Sequence, residues 1–267
     1  MPFARGFAKL GVVMPIGPLK RLFGRSTSPP RRVPEGRRVY AVGDIHGRLD
    51  LFDKLLARIA ADRKRWPGEA EVVLLGDYVD RGPDSAAMLA RLADGLPDWA
   101  DWTLLRGNHE QAMLDSFDGD RRALRAWLDY GGRDTLRSYG APARVALGDD
   151  MEAIVAELHA RVPPAQIDLL RRLELTRRIG DYLFVHAGIR PGVSLDAQAP
   201  RDLMWIRSEF LECKDDHGCV VVHGHSITRE VTERANRIGI DTGAYASGRL
   251  TALVLDGETR RYMATDD

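Results

Sequence analysis

Three short apolar runs, each followed at once by a glycine-rich polar turn, restrict this chain to few folds. The central run, residues 72–75, leads into Gly76-Asp77-Tyr78-Val79-Asp80-Arg81-Gly82. Upstream, residues 39–42 lead into Gly43-Asp44-Ile45-His46-Gly47; downstream, residues 102–105 lead into Arg106-Gly107-Asn108-His109-Glu110. Asp44 and Asp77 lie 33 positions apart and Asp77 and Asn108 lie 31 apart. Such intervals hold one helical crossover between parallel strands. The intervening residues agree. Leu49, Phe52, Leu55, Leu56 and Ile59 recur at helical spacing within 49–63, and 83–94 opens on Pro83, which suits a first helical turn. All three polar turns are therefore expected at the carboxyl edge of one sheet, where α/β folds bind ligands.

The remaining chain divides by pattern. Residues 1–37 carry eight basic side chains against the single acid Glu35, with prolines at six positions. They predict a disordered basic arm, with weak membrane-surface or polyanion contact as its functional alternative; a secretory signal fits less well. The folded domain is expected from 38 to 267. Within it, 110–178 predicts a mainly helical insertion beside the active edge, with 131–142 as a turn-rich link. Strands are expected at 181–186, 219–222 and 237–241, a helix over 202–212, and a terminal hairpin of 250–255 and 259–263 turning at Asp256-Gly257. This second half is expected to supply a second sheet.

Basic and acidic residues balance at 39 each, so no global field favours nucleic acid, and no stable nucleic-acid partner is expected. No apolar run is long enough to span a bilayer. Cys213 and Cys219 are too few for a disulfide framework and indicate reduced thiols, hence a cytoplasmic location.

The polar residues that follow strands form one set: Asp44, His46, Asp77, Asn108, His186 and His225. Carboxylate, imidazole and amide donors without thiolate suit Mn, Fe or Zn, with Mn preferred. Six donors exceed the needs of one ion with an open position, so two divalent ions sharing a carboxylate are expected, an arrangement that suits phosphate ester hydrolysis. In Asp44-x-His46, alternation on an extended segment would aim both side chains alike. His109, next to Asn108, is the expected proton donor to the leaving group, oriented by Asp80. Arg81 and Arg207 offer planar forks for phosphate, and Asn108 is expected to face substrate as well. Alone, each has a bland alternative: Asp80 and Arg81 an ion pair, His186 a core histidine, Glu110 a helix-dipole partner. His223 and His225 compete for one ligand position, while His159 and His217 read as solvated.

GDIHG, GDYVDRG, GNHE, FVHAG and GHS resemble the calcineurin-like metallophosphoesterases over roughly residues 38–256, most closely the bacterial and phage-type serine/threonine phosphoprotein phosphatases. The resemblance implies a four-layer α/β/β/α sandwich of two mixed sheets. It implies one ion on Asp44, His46 and Asp77, and another on Asp77, Asn108, His186 and His225. The glycine before the family's last metal histidine selects His225 over His223. His109 and Asp80 match the family's acid pair, Arg81 its phosphate arginine and, less closely, Arg207 a second. The implied reaction is direct attack of a metal-bridging hydroxide on a phosphomonoester. Phosphoserine or phosphothreonine in a phosphoprotein is the first expected substrate, and a symmetrical bis(5'-nucleosyl)-tetraphosphate, a phosphorylated small molecule, the alternative. An inert phosphate-binding module is the alternative from another class, and the intact donor set argues against it.

Overall fold

The computed structural model describes residues 30–266. Strands β1 (Arg37–Val42), β2 (Glu69–Leu74) and β3 (Asp101–Leu104) pair in parallel, with Tyr40 opposite Val72 and Val72 opposite Trp102. Helix α1 (Leu49–Arg63) crosses from β1 to β2 and α2 (Ser85–Ala93) from β2 to β3. Then come α3 (Asn108–Phe117), α4 (Arg121–Trp127), a single π turn over Leu128–Gly132, α5 (Arg133–Ser138), α6 (Ala143–Ala146), α7 (Met151–Arg161) and α8 (Pro164–Arg172). The second half contains β4 (Thr176–Ile179), β5 (Tyr182–Val185), α9 (Pro200–Trp205), α10 (Ser208–Leu211), β6 (Val220–His223), β7 (Thr232–Glu233), β8 (Arg237–Gly239), α11 (Ala244–Ser247), β9 (Thr251–Asp256) and β10 (Thr259–Ala264).

Strand alternation builds the layers. Tyr40, Val42, Val72 and Leu74 pack against α1, α2 and the 108–172 helices. Their neighbours Val39, Ala41 and Val73 face Phe184, Val222 and Ile238 of the other sheet. Beyond that sheet, Leu183, Val185 and Val221 pack on Leu203 and Phe210 of α9 and α10. Three apolar interfaces separate four layers, the expected sandwich. Glu71 of β2, buried between the sheets, accepts from Arg177 Nε of β4 at 2.7 Å and from Thr103 Oγ1 at 3.0 Å, a polar tie across an apolar interface.

Several sequence expectations change. The terminal hairpin joins the first sheet, because β9 pairs antiparallel with β1 and leaves the order β10-β9-β1-β2-β3. The second sheet, β4-β5-β6-β8-β7, gains two short strands whose patterns were too brief to read. The 131–142 link is largely helical: Gly131, at φ 118, lets the chain bulge, and α5 then buries Thr135 and Leu136. The 202–212 helix breaks at Ile206 and Arg207, where Ile206 turns extended. Residues 31–37 pack with the domain: Val33 is fully buried, its N–H donates to Gly257 O, and Arg31 pairs with Asp216. The rest of the expected arm, residues 1–29, lies outside the described residues. His159 is exposed, as expected, but His217 is half-buried and stacks on Phe210. Both cysteines are free.

Candidate metal centre

The loops leaving β1, β2 and β3 converge at one edge of the first sheet, where β5 and β6 of the second sheet also end. Five non-glycine residues among those described adopt left-handed φ: His46 (48°), Asp77 (51°), Asp80 (73°), Arg81 (69°) and His225 (62°). Each such residue costs about 1–3 kcal/mol and persists only where surrounding structure imposes it. Here all five belong to the expected site. His46 therefore reaches the centre from a tight turn and not, as its spacing suggested, by alternation along an extended segment.

Backbone carbonyls set the imidazoles. His46 Nδ1 donates to Val79 O at 2.9 Å and His186 Nδ1 to Leu75 O at 2.8 Å, leaving each Nε2 lone pair facing inward. Burial lowers His46 to about 3 and His225 to about 2, and lowers His186 as well, so all three are neutral donors at neutral pH. Asp77 lies among them. Its Oδ2 is 3.5 Å from His46 Nε2 and its Oδ1 is 3.4 Å from His186 Nε2. Burial alone would raise this carboxyl, yet it lies below its ordinary value, because a proton entering the cluster settles on the surrounding imidazoles, His186 first and then His109, His46 and His225, before it reaches the carboxylate.

Two groups of buried donor atoms share Asp77: His46, Asp77 and His109; and Asp77, His186 and His225. The chemistry of the second fits a cation. His225 Nε2 is buried and has no hydrogen-bond partner. His186 Nε2, its proton carried on Nδ1, stands 2.9 Å from Asn108 Oδ1, so two acceptors face each other. Asp44, an expected ligand, and two neighbouring histidines, His109 and His223, sit differently from a simple pocket. Asp44 accepts from the His225 N–H at 3.0 and 3.2 Å instead of joining His46, and burial together with Asp241 and Asp77 raises its carboxyl. His109, expected as proton donor, is close enough to share the first group. His223 points away, its Nδ1 donating to Gly224 O and its Nε2 facing Arg237. Gly224 allows the approach of this turn, since a Cβ there would collide with the Asp44 carboxylate.

Asp80 accepts the Nδ1–H of His109 at 2.6 Å. Burial alone would lower His109, but the Asp77 charge and the Asp80 hydrogen bond raise it. Asp80 is itself held by residues that sequence reasoning missed: Trp127 Nε1 at 2.9 Å and Thr135 Oγ1 at 2.6 Å, both from the helical insertion. No local pattern marks either, because each lies about fifty residues away in sequence. Arg81 donates to Nε2 of His46 at 2.8 Å and of His109 at 3.0 Å, with its guanidinium 4.9 Å from the Tyr245 ring centre. Arg207 is exposed and reaches Ser226 Oγ at 3.4 Å; its charge acts on His186 and His225.

Glu110, read from the sequence only as a helix-dipole partner, does more in the structure. It is fully buried, and its two oxygens accept from four backbone N–H groups: Gly107 (2.9 Å), Asp77 (2.8 Å), Tyr78 (2.7 Å) and Val79 (3.3 Å). Burial and the Asp77 charge push its carboxyl upward, yet every contact is a donor, so the group acts as an acceptor on both oxygens. Its place three residues after Gly107 is the spacing at which a glutamate reaches back to a helix start, the signal that could have found it.

The family profile for calcineurin-like phosphoesterases matches residues 37–246. The chain is 32% identical over 227 residues to serine/threonine-protein phosphatase 1 of Salmonella typhimurium, covering 80% of this chain and 90% of that one. It is 35% identical over 160 residues to the symmetrical bis(5'-nucleosyl)-tetraphosphatase of an Acidovorax species, covering 57% of this chain and 44% of that one, so it spans less than half of that relative. The crystal structure of a candidate diadenosine tetraphosphatase superposes with a TM-score of 0.59 at 21% identity, covering 88% of this chain and 98% of that one, a likeness of fold. A profile match along most of the chain, joined to a relative aligned over nearly its whole length, establishes that this protein belongs to the calcineurin-like phosphoesterase family and is a metallophosphoesterase, a hydrolase of phosphoric esters.

Proposed function

We propose that the protein removes phosphate from phosphoserine or phosphothreonine in proteins, using two divalent ions, with Mn preferred. Asp44, His46 and Asp77 would hold one ion, and Asp77, Asn108, His186 and His225 the other. The observation that carries this reading is Asp77, whose two oxygens each face a separate cluster of imidazoles. The ions, when bound, supply Lewis acidity toward phosphate and water.

The protein's own groups do the rest. Arg81, which lies at His46 and His109, binds a phosphate oxygen, and Arg207, whose charge acts on His186 and His225, offers a second fork. With Arg81 moved onto phosphate, His109 Nε2 is free to carry the proton that goes to the departing oxygen. Asp80 keeps the ring aligned and favours its protonated form. Trp127 and Thr135 hold Asp80 in turn, which makes the helical insertion part of the acid catalyst's support.

The protein substrate is supported by the alignment along 90% of a serine/threonine-protein phosphatase, against 44% of the tetraphosphatase. The second reading, hydrolysis of dinucleoside tetraphosphates, is favoured by the higher identity over 160 residues. Two free thiols support a cytoplasmic location. No helix among the described residues is long and apolar enough to cross a membrane.

The test compares a phosphoserine peptide with diadenosine tetraphosphate on the same Mn-loaded enzyme. Faster peptide turnover is expected; a strong preference for the tetraphosphate overturns the assignment. Elemental analysis should approach two ions per chain. Asp77→Asn and His109→Asn should each lower p-nitrophenyl phosphate turnover by orders of magnitude. Wild type as inactive as these variants across several metals would support the inert binding module.

A further inference from the structure

Helix α4 buries Leu124 and Trp127 and turns Arg122 and Arg125 to solvent. The π turn after it buries Leu128 but leaves Tyr130 63% exposed, the most exposed large hydrophobic side chain among the described residues. These exposed side chains, with Arg121, Ala126 and Asp129, line a shallow cavity of about 490 Å³.

Only part of this face's charge is spent internally. Arg121 pairs with Glu152 at 2.8 Å. Among the described residues, neither the Arg122 nor the Arg125 guanidinium has a hydrogen-bond or ion-pair partner. Asp120, the nearest acid in sequence, is committed to capping α4. It accepts from Ala123 N and Arg122 N, and these hold it below the usual carboxylate range. Asp129 leaves the face with a net positive charge.

The face is anchored to the reacting end of the site. Trp127, on the same helix, donates to Asp80. Gly131, next to Tyr130, accepts from the Arg81 N–H at 3.4 Å, and a Cβ on Gly131 would lie 2.8 Å from Arg81 Cγ. Tyr130 thus stands one residue from the carbonyl that holds the Arg81 backbone, and the helix that orients Asp80 carries Arg122 and Arg125 on its outer face; the molecule bearing the phosphate must continue past the site's rim.

We propose that Arg122, Arg125 and Tyr130 form a subsite for the polypeptide flanking the phosphoresidue, and that it selects acidic flanking residues. The proposal rests on the phosphoprotein reading. Guanidinium forks match carboxylates, and the tyrosine supplies a flat contact at low entropic cost. A nucleobase fits less well, because among the described residues Tyr130 is the only aromatic ring lining the cavity and no second ring faces it. Two exposed arginine–carboxylate pairs together contribute a preference of roughly two- to thirtyfold.

The test uses two phosphoserine peptides that differ only in acidic or basic flanking residues. Their kcat/KM values are measured with the Mn-loaded wild type, with Arg122→Ala/Arg125→Ala, and with Arg125→Glu. Melting temperature and p-nitrophenyl phosphate turnover serve as controls, since none of these side chains touches the phosphate. Expected is a wild-type preference for the acidic peptide, carried in KM and shrinking at high salt. The double alanine variant should lose the preference, and Arg125→Glu should reverse it. Equal turnover of both peptides by wild type, or a preference that survives in the variants, overturns the proposal. Variants that spare both peptides but slow diadenosine tetraphosphate hydrolysis assign the face to nucleotides and also overturn it. If neither peptide is cleaved while p-nitrophenyl phosphate is, the phosphoprotein reading itself has failed, and the subsite with it.

Discussion

Glu110→Gln is a sharp test of how the centre is built, because it changes one atom and leaves the volume alone. In the native protein, one Glu110 oxygen accepts from Asp77 N and Gly107 N, and the other from Tyr78 N and Val79 N. Glutamine keeps one accepting oxygen. Its amide then confronts two backbone N–H groups with donors of its own, in a site closed to water. Leaving a buried donor unsatisfied costs about 1–3 kcal/mol, so two such losses cost about 2–6 kcal/mol. For a domain of this size, each kcal/mol lowers Tm by about 2–4 °C, which predicts a drop of roughly 5–20 °C. Against a stability of roughly 5–15 kcal/mol, a loss at the middle of this range, about 4 kcal/mol, leaves most of the protein folded at 25 °C. The melt should be run in chelator, because ions bound only to the native state would add their own stability. Metal content should fall in parallel, since the turn that loses its bonds carries Asp77. A variant that melts within about 2 °C of wild type and holds its full metal content would refute the claim that Glu110 braces this turn.

Other consequences follow from particular contacts. Trp127→Phe removes the indole N–H from Asp80 while keeping an aromatic ring, and should lower kcat by roughly tenfold or more with little change in KM, read by steady-state kinetics. Gly224→Ala places a methyl against the Asp44 carboxylate and should reduce turnover by about a hundredfold; normal activity would mean that the turn has room the structure does not show. Asp62 accepts from Tyr40 at 2.7 Å, from Arg38 at 2.9 Å and from Arg261. Burial alone would raise its carboxyl, but the Tyr40 hydroxyl and the two guanidiniums lower it. A depressed folded pKa stabilises above the unfolded value, about 3.8–3.9, and that stability is lost as pH falls through the folded one. Asp62→Asn should therefore lower Tm by about 2–8 °C at pH 7, and the gap should close below about pH 4, measured by calorimetry across pH.

The parallel core was legible because apolar runs, helical periods and glycine turns are local signals. The 49–63 helix and the β1–β2–β3 order follow from them directly. The positions of Asp44, His46, Asp77, Asn108 and His109 were legible for the same reason, since each directly follows a strand. Their conformations were not. His46 and Asp77 hold left-handed backbone that neither residue prefers, imposed by hydrogen bonds such as those from His46 N and Ile45 N to Asp77 O. The terminal hairpin read correctly as a hairpin, yet its sheet could not be read, because alternation says which residues face a core and not which strand lies beside them.

What the sequence alone determined is the chemical inventory and its order: hard and borderline donors after successive strands, with an arginine and a histidine–aspartate pair among them. Tertiary structure decided how those groups act. It turned Asp44 toward the His225 N–H, left His225 Nε2 buried without a partner, and brought Trp127 and Thr135 onto Asp80 from a separate helical segment. Those contacts join residues between about 47 and 181 positions apart, a range over which no local pattern reaches. Only burial and the closing of loops against one another could place them.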